Sequence, residues 1–352
     1  MVDTLTLKPP ADGARGAHPD TFFDAVLVVA FGGPEGTDDV MPFLENVTRG
    51  RNVPRTRLED VAHHYARFGG VSPINAQNRA LIEALRPELE THGIDLPVYL
   101  GNRNWHPLLA DTLRQMRDDG VTRALAFFTS GFSSYSSCRQ YRENIQAAQE
   151  EVGPDAPEVL RTRMFYNHPG FVRANADRVQ RALERVPDER RKGVHLAFTA
   201  HSIPSAMARQ SRYEAQLGET ARLVADEVGV PDRAVVYQSR SGPPQVPWLE
   251  PDVCDHIRSL PGRGVRDVVL SPIGFVSDHM EILFDLDVEA RDAAAEAGVE
   301  LQRAATAGTH PAFVAMIREL IQERLDPTAP RRALGRYGPS HDVCLAGCCL
   351  PG

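Results

Sequence analysis

The feature that most constrains the fold is a regular alternation of short apolar runs with longer segments of helical periodicity. The apolar runs have the length of buried strands and lie at 24–31, 96–102, 123–128, 158–164, 193–199, 234–239 and 267–273. Segments of helix length separate or follow them at 37–47, 56–67, 75–93, 107–120, 138–151, 170–186, 211–228, 250–259, 278–297 and 310–325. Strands that alternate with crossover-length helices form parallel sheets with helices on both faces. The sequence therefore predicts an α/β protein with two doubly wound, Rossmann-like domains.

The two halves of this alternation meet near 165–170, which sets the predicted domain bounds. They are a polar N-terminal tail (1–23), an N-terminal domain (24–167), a C-terminal domain (168–326) and a linker with a cysteine-bearing tail (327–352). The last helix is expected to pack back on the first domain. The first residues lack the basic-then-apolar pattern of a signal peptide, and no run of about 18 apolar residues could span a membrane. We therefore expect a cytoplasmic protein.

The charge balance narrows the range of partners. Lys and Arg total 39 against 47 Asp and Glu, a formal net charge of -8. The chain therefore has no basic footprint for nucleic acid and no polybasic patch for a membrane surface.

In doubly wound folds, ligands bind beyond the carboxyl ends of the strands, so the loops at those ends are the informative ones. The first loop, FGGPEGTDD, fits neither G-x-G-x-x-G nor a P-loop, and a tight strand-to-helix turn is favoured over nucleotide binding. The loop TAHSIPSAM places His201 at the end of a strand. Taken alone, His201 is a half-buried structural histidine. A hydrolase built on Ser202 is an alternative, but the G-x-S-x-G elbow is missing.

The segment GFVSDHMEILFDLDVEA changes the weight given to that histidine. It predicts a helix that opens at Ser277, a good N-cap, with one acidic face. The residues of this face recur every three or four positions and are Asp278, Glu281, Asp285 and Glu289. A solvated surface would also explain such a face, but few polar positions remain beside it, because most of the intervening residues are apolar: Met280, Ile282, Leu283, Phe284, Leu286 and Val288. An acidic face opposite a histidine predicts a path for protons or cations, and these donors suit ferrous iron. His279, two positions before Glu281, is expected to point elsewhere, towards supporting contacts.

At these residues the sequence resembles the ferrochelatases, in the form found in actinobacteria. The matching motifs are FGGPE (31–35), RFGGVSPIN (67–75), GNRNWHP (101–107), SSYSSCRQYREN (133–144), YNHPGF (166–171), TAHSIP (199–204), YQSRSGPPQVPWLEPD (237–252) and SPIGFVSDHMEILFDLD (271–287). The resemblance implies a porphyrin cleft between two doubly wound domains and an enzyme that inserts ferrous iron into the porphyrin. It implies that His201 is the proton acceptor or metal ligand and that Glu281 is its partner carboxylate. The other acidic residues, Asp278, Asp285 and Glu289, would continue a proton or metal path.

The resemblance also implies which residues contact the porphyrin, namely Phe31, Thr48, Arg49, Arg51, Ser133 and Tyr135. Some relatives have an iron-ligating tyrosine where this chain has Phe31, which is expected to pack on the macrocycle instead. The stretch 42–66 is short and polar, as in the enzymes that take coproporphyrin III, whose propionates attract cations and hydroxyls. Surface solubility would equally account for the arginines there.

The resemblance therefore implies an enzyme that inserts ferrous iron into coproporphyrin III to give coproheme, and several alternatives stay open. They are a protoporphyrin IX ferrochelatase, a cobalt or nickel chelatase, a porphyrin or iron carrier, and an iron–sulfur sensor without turnover. The expected partners are the porphyrin and ferrous iron, with a monomeric chain and transient contacts to other enzymes of heme biosynthesis.

Three of the five cysteines, Cys344, Cys348 and Cys349, lie in the last nine residues. Disulfides are rare in a reducing compartment, so clustered cysteines more often hold a metal or do redox chemistry. Four thiolates suit zinc or a [2Fe–2S] cluster, and the residues alone leave either Cys138 or Cys254 as the fourth. The resemblance implies Cys138 and a [2Fe–2S] cluster, with zinc and free redox-active thiols as alternatives.

Overall fold

The computed structural model describes residues 21–50 and 53–352, and these contain two parallel four-stranded sheets. In the first, the spatial order is β2-β1-β3-β4, with β1 (Ala25–Ala30), β2 (Val98–Asn102), β3 (Arg123–Phe128) and β4 (Glu158–Arg161). In the second, it is β6-β5-β7-β8, with β5 (His195–His201), β6 (Arg233–Gln238), β7 (Asp267–Ser271) and β8 (Glu300–Arg303). Every pair of neighbouring strands is parallel. The predicted doubly wound α/β class is confirmed.

The first strand of each half lies inside its sheet, which explains why the two runs are so apolar. All six residues of β1 are buried, as are the first six of β5, because helices cover both faces. The last residue of β5, His201, emerges from this core at the carboxyl edge of the second sheet.

The α-helices follow the predicted alternation closely. Those of the first half are α1 (Thr37–Val47), α2 (Arg55–Ala66), α3 (Ile74–Thr91), α4 (Leu109–Asp118) and α5 (Gln140–Val152). Those of the second half are α6 (Pro169–Leu183), α7 (Ser205–Arg209), α8 (Tyr213–Val228), α9 (Val253–Ser259), α10 (Met280–Phe284), α11 (Ala290–Ala297) and α12 (Pro311–Leu325). Two short 3-10 helices complete the set, Arg191–Gly193 and Leu260–Arg263.

The final helix joins the two halves. α12 packs against α6 of the second half and α3 of the first. Arg318 on α12 pairs with Glu88 on α3 at 3.1 Å. A deeper pair joins Arg163 to Glu323 at 2.7 Å, with both side chains almost fully buried. The domain bounds themselves stay a prediction.

A π-helical turn overlaps the start of one predicted helix and interrupts another. Tyr135–Arg139 precedes α5, and Asp285–Glu289 separates α10 from α11. The prediction of one helix over 278–297 is therefore wrong in two respects, since the helix begins at Met280 and contains a wider turn. Ser277 is not its N-cap, because its hydroxyl bonds instead with Asn78 Oδ1 at 3.2 Å, and the capping position is occupied by His279.

No helix within the described ranges, 21–50 and 53–352, is long and apolar enough to cross a membrane. The predicted polar tail falls almost wholly outside them, as does Arg51 of the predicted porphyrin contacts.

Candidate active site

His201 ends β5 and presents its ring at the carboxyl edge of the second sheet. The hydroxyl of Tyr213 donates to the backbone oxygen of His201 at 3.0 Å, which fixes the end of the strand. Its Nδ1 lies against the carbonyl oxygen of Ser202. A carbonyl oxygen only accepts, so Nδ1 carries the hydrogen in the neutral ring, and the lone pair is on Nε2. His201 can therefore accept a proton or bind a metal through Nε2.

Glu281 lies opposite that lone pair. Its Oε2 is 3.7 Å from His201 Nε2 and 3.9 Å from His279 Nδ1, so two imidazoles approach one carboxylate oxygen. Burial lowers the pKa of His279, which favours its neutral form. The site therefore offers two imidazole nitrogens and a half-exposed carboxylate to an incoming group.

The position of His279 contradicts the expectation that it points away from Glu281. That expectation assumed a helix at both positions, whereas the backbone of His279 is extended, with φ -143° and ψ 179°. The spacing argument for a helix does not apply to a residue that caps it. The S-D-H-x-E order was the available signal, but local conformation was needed to interpret it.

The π turn continues the acidic residues inward from Glu281. Asp285 accepts hydrogen bonds from Ser239 Oγ and, at 3.3 Å, from Gln238 Nε2. Burial, together with the negative charge of Glu281, raises the pKa of Asp285 to about 7. Burial also raises the pKa of Glu289. We call Glu281, Asp285 and Glu289 the acidic row; its middle member exchanges protons close to neutral pH.

The inner end of the acidic row opens into a cavity of about 390 Å³. Its lining is mostly polar and comprises Gln238, Ser239, Asp252, Val253, Cys254, Arg258, Asp285, Glu289 and Asp292. The cavity therefore meets the row at Asp285 and Glu289 and gives it a polar outlet. Cys254 is half-buried in this wall and is not among the thiols of the C-terminal tail.

Asp278 does not belong to the row. It precedes α10, and its carboxylate pairs with Arg303 at 3.2 Å. The same guanidinium pairs with Asp287 at 2.7 Å. The predicted acidic face is thus wrong at its first member, because the helix that would have aligned it has not yet begun. Arg303 offsets these two charges, whereas no ion pair with Lys or Arg forms within the described residues at Asp285 or Glu289.

Two of the predicted porphyrin contacts, Phe31 and Arg49, are exposed in the first half. Phe31 is 37% exposed, and its ring packs edge-on against Phe43 with centroids 6.3 Å apart. Arg103 holds its guanidinium 5.6 Å from the Phe31 centroid. Arg49 is exposed just after α1, while the Thr48 hydroxyl donates to Leu44 O at 2.7 Å and caps that helix. Thr48 therefore already has an intrachain acceptor.

The remaining predicted contacts, Ser133 and Tyr135, have partners within the chain. The Ser133 backbone nitrogen donates to Gln216 Oε1 at 2.7 Å, and Gln216 Nε2 donates to Ser133 Oγ at 3.1 Å. The Tyr135 hydroxyl donates to Glu143 Oε2 at 3.1 Å. Ser133 thus joins the two halves of the molecule, which is a structural role beside any contact with a ligand.

The C-terminal tail brings its cysteines to the first π turn. The thiols of Cys138 and Cys344 are hydrogen bonded, which raises the pKa of Cys138 to about 11. The thiol of Cys349 also forms a hydrogen bond with that of Cys138, and Cys349 Sγ lies 3.5 Å from Cys348 Sγ. Four thiols from two distant parts of the chain therefore meet in one place, three of them buried.

Two arginines fasten this arrangement. Arg161, on β4, donates from Nη2 to Cys344 Sγ at 2.9 Å. Arg139 donates from Nη1 to the backbone oxygens of Ala346 at 2.7 Å and Cys348 at 3.1 Å. Hydrogen bonds from Cys138 and Cys348 lower the pKa of Cys344, and the nearby positive charge of Arg161 acts in the same direction.

His341 is a potential metal donor that the sequence reasoning missed. Its Nε2 lies 3.4 Å from Cys344 Sγ. The donor atoms of His341, Cys344 and Cys348 all lie within 4.8 Å of one another. The signal available in the sequence was the H-x-x-C spacing at the start of the cysteine cluster.

Comparisons with known proteins agree with this architecture. A family model described as Ferrochelatase matches residues 23–325. The chain is 58% identical over 329 residues to a Rhodopirellula baltica protein named Ferrochelatase, with 93% of each chain covered. It is 53% identical over 340 residues to a Nocardia farcinica protein named Coproporphyrin III ferrochelatase, covering 93% of this chain and 97% of the relative. Among solved structures, SirB from Bacillus subtilis with Fe3+ is similar at a TM-score of 0.54 and 12% identity, covering 89% of this chain and 99% of that one.

Proposed function

The chain belongs to the ferrochelatase family, and we propose that it inserts ferrous iron into coproporphyrin III to give the iron porphyrin of heme biosynthesis. It is then a metal chelatase of the lyase class. The observation that carries the proposal is the approach of His201 Nε2 and His279 Nδ1 to one oxygen of Glu281.

The reaction requires proton acceptors beside a place for the metal. Two pyrrole N–H protons leave the macrocycle as Fe2+ enters, and Fe2+ loses its water ligands. Nε2 of His201 can accept one proton or bind the metal, because its Nδ1 is held by a carbonyl. Glu281 stabilises either the imidazolium or the incoming cation. His279, whose neutral form is favoured because burial lowers its pKa, offers a second imidazole nitrogen 3.9 Å from the same oxygen of Glu281.

The acidic row then removes the proton from the site. Asp285, with its pKa raised to about 7, can both take a proton from the Glu281 side and release it. Glu289 borders the polar cavity, which gives the proton an outlet to water. Asp278 has no step in this scheme, since Arg303 already pairs with it.

The choice of porphyrin rests on the relatives and on the polar lip. Relatives between 48% and 53% identical, such as those of Nocardia farcinica and Mycolicibacterium vanbaalenii, are named Coproporphyrin III ferrochelatase. Coproporphyrin III carries four propionates, and Arg49 is an exposed cation that suits them. Phe31 offers an exposed aromatic face for the macrocycle. These porphyrin contacts stay predictions, and so do the contacts predicted for Arg51, Thr48, Ser133 and Tyr135.

Anaerobic insertion of Fe2+ into coproporphyrin III and into protoporphyrin IX, followed by absorbance, tests this function. We expect a higher kcat/KM for coproporphyrin III. The variant His201→Ala should still bind the porphyrin, which quenching of the protein's fluorescence would show. Its rate of metal insertion should fall by at least about 100-fold, as expected for a lost acid–base group. Equal or better turnover of protoporphyrin IX would overturn the substrate assignment. Unchanged insertion in His201→Ala would overturn the catalytic one and favour a carrier.

We further propose that Cys138, Cys344, Cys348 and Cys349 hold a [2Fe–2S] cluster. The donor set fits, since four thiols converge and Arg161 donates to one of them in a buried setting. Such a cluster supplies one-electron chemistry or a structural crosslink. A visible absorption spectrum of protein purified without oxygen tests this assignment. A colourless protein with one zinc per chain would show that the four thiols bind zinc instead of a cluster. The cytoplasmic location, the monomeric state and contacts with other heme-pathway enzymes remain predictions.

A further inference from the structure

The C-terminal tail and the first π turn together bring five metal donors into one place, one more than a four-coordinate set requires. Four of the five are the thiols already assigned, and the fifth is the imidazole of His341. His341 is exposed and could lie away from the thiols, yet its Nε2 is 3.4 Å from Cys344 Sγ. A surplus donor that faces the thiols needs an explanation that the four-thiol set does not supply.

The three closest donors form a group of their own. The ligand atoms of His341, Cys344 and Cys348 lie within 4.8 Å of one another. All three belong to one short segment of eight residues, H-x-x-C-x-x-x-C. This group can therefore be assembled by the tail alone, whereas the four-thiol set also needs Cys138 from the first π turn.

We propose that His341, Cys344 and Cys348 form a site for a single divalent cation of the zinc class, such as Zn2+, Co2+ or Fe2+. One imidazole and two thiolates are the donors that these borderline cations favour, with a fourth position left for water. The site shares Cys344 and Cys348 with the four-thiol set, so one protein molecule holds either the single ion or the cluster.

The surroundings of Cys344 suit this role. Arg161 is buried, and its Nη2 donates to Cys344 Sγ at 2.9 Å and to the backbone oxygen of His341 at 3.4 Å. One guanidinium thus holds a ligand thiol and the backbone of the ligand histidine. Such outer contacts orient metal ligands in proteins. The shared contact gives His341 and Cys344 a fixed relation before any ion binds.

Co2+ is a suitable probe, because its absorption reports the number of thiolates and the coordination geometry. Full-length protein freed of its cluster is titrated with Co2+ without oxygen, and the same variants are separately reconstituted with iron and sulfide. We expect the wild type to bind one Co2+ with tetrahedral bands and a charge-transfer intensity near that of two thiolates. His341→Ala should bind Co2+ at least about tenfold more weakly, since even outer-shell changes cost roughly 10–100-fold. Its cluster absorbance after reconstitution should persist.

Cys349→Ser is the matched control. It removes a thiol of the four-thiol set only, so Co2+ binding should match the wild type while the reconstituted cluster is lost. His341→Cys should restore Co2+ binding with a third thiolate contribution, which separates loss of a ligand from local misfolding of the tail.

Two results would overturn the single-ion site. One is equal Co2+ affinity in His341→Ala and the wild type. The other is a four-thiolate spectrum that disappears in Cys349→Ser. Neither outcome depends on porphyrin turnover, so failure here and failure of the chelatase function are distinguishable.

Discussion

Replacing Asp285 by Asn tests whether the acidic row carries protons. Asp285 is buried on the π turn, where it accepts hydrogen bonds from Ser239 and Gln238. Asn keeps the shape of the side chain but cannot take up a proton at neutral pH. We expect kcat for iron insertion to fall by about 10²–10⁴-fold, the range typical of a lost acid–base group, with the porphyrin KM little changed.

The same substitution has an opposite effect on stability. The pKa of Asp285 rises from 3.8 to about 7, which corresponds to about 4 kcal/mol between its two protonation states. The folded protein binds this proton more tightly than the unfolded chain, so the contribution is present below pH 4 and is lost as the pH rises through 7. Since Asn does not titrate, the variant should gain stability relative to the wild type by up to about 4 kcal/mol between pH 4 and pH 8.

Two measurements over this pH range decide the matter. Urea unfolding of both proteins gives the difference in free energy, and steady-state insertion gives the rate. The wild-type rate should fall as Asp285 becomes protonated below pH 7, which gives the pH–rate profile an acid limb. This acid limb should be absent in Asp285→Asn. Asp287→Asn is the matched control, because Asp287 lies on the same turn but pairs with Arg303, so it should keep both rate and limb. A difference in stability that does not vary with pH, or an unchanged acid limb in Asp285→Asn, would refute the reasoning.

Three further outcomes follow from other parts of the molecule. Glu323→Gln leaves the buried guanidinium of Arg163 without its carboxylate and should lower the free energy of unfolding by about 3–5 kcal/mol in urea titrations. His256 Nε2 lies 2.9 Å from His195 Nε2, and burial lowers the pKa of His256 to about 4. The folded protein should therefore lose stability as the pH falls from 6.5 towards 4, because the unfolded chain binds the proton more tightly. In acid unfolding, the stability of His256→Asn should fall less steeply with pH over this range. Removing with a chelator a metal group that links Cys138 to the tail opens a loop of about 200 residues. The free energy of unfolding should then fall by up to about 5 kcal/mol, and thermal unfolding with and without chelator measures the difference.

The fold could be predicted from the sequence because its strands lie inside their sheets. β1 and β5 are buried on both faces, and a strand in that setting must be a nearly continuous apolar run. His201 and Glu281 could be singled out for a related reason, since both follow strands whose ends were already located. Parallel order then places their loops at one edge.

What escaped prediction depends on local conformation or on distant contacts. A π turn over 285–289 changes the helix without changing its composition, and the extended backbone of His279 is set by its neighbours in space. Arg303, on the strand that follows the acidic helix, removes Asp278 from the row through an ion pair that no spacing rule contains. His341 is not part of the cysteine pattern, and only its contact with Cys344 in the folded chain identifies it as a metal donor.

The π turn makes the acidic row a matter of residue count as well as residue type. In an α-helix, residues four apart drift by about 40° around the axis, so Glu289 would be turned by about 80° from Glu281. The wider turn at 285–289 advances by a smaller angle per residue than an α-helix, so Glu289 stays closer to the line of Glu281 than it would in an uninterrupted α-helix. Loss of a single codon within this turn would restore an ordinary helix and rotate everything after it by about 100°, with every acidic residue still encoded. Over evolutionary time this helix should therefore tolerate many exchanges of side chains but very few changes of length.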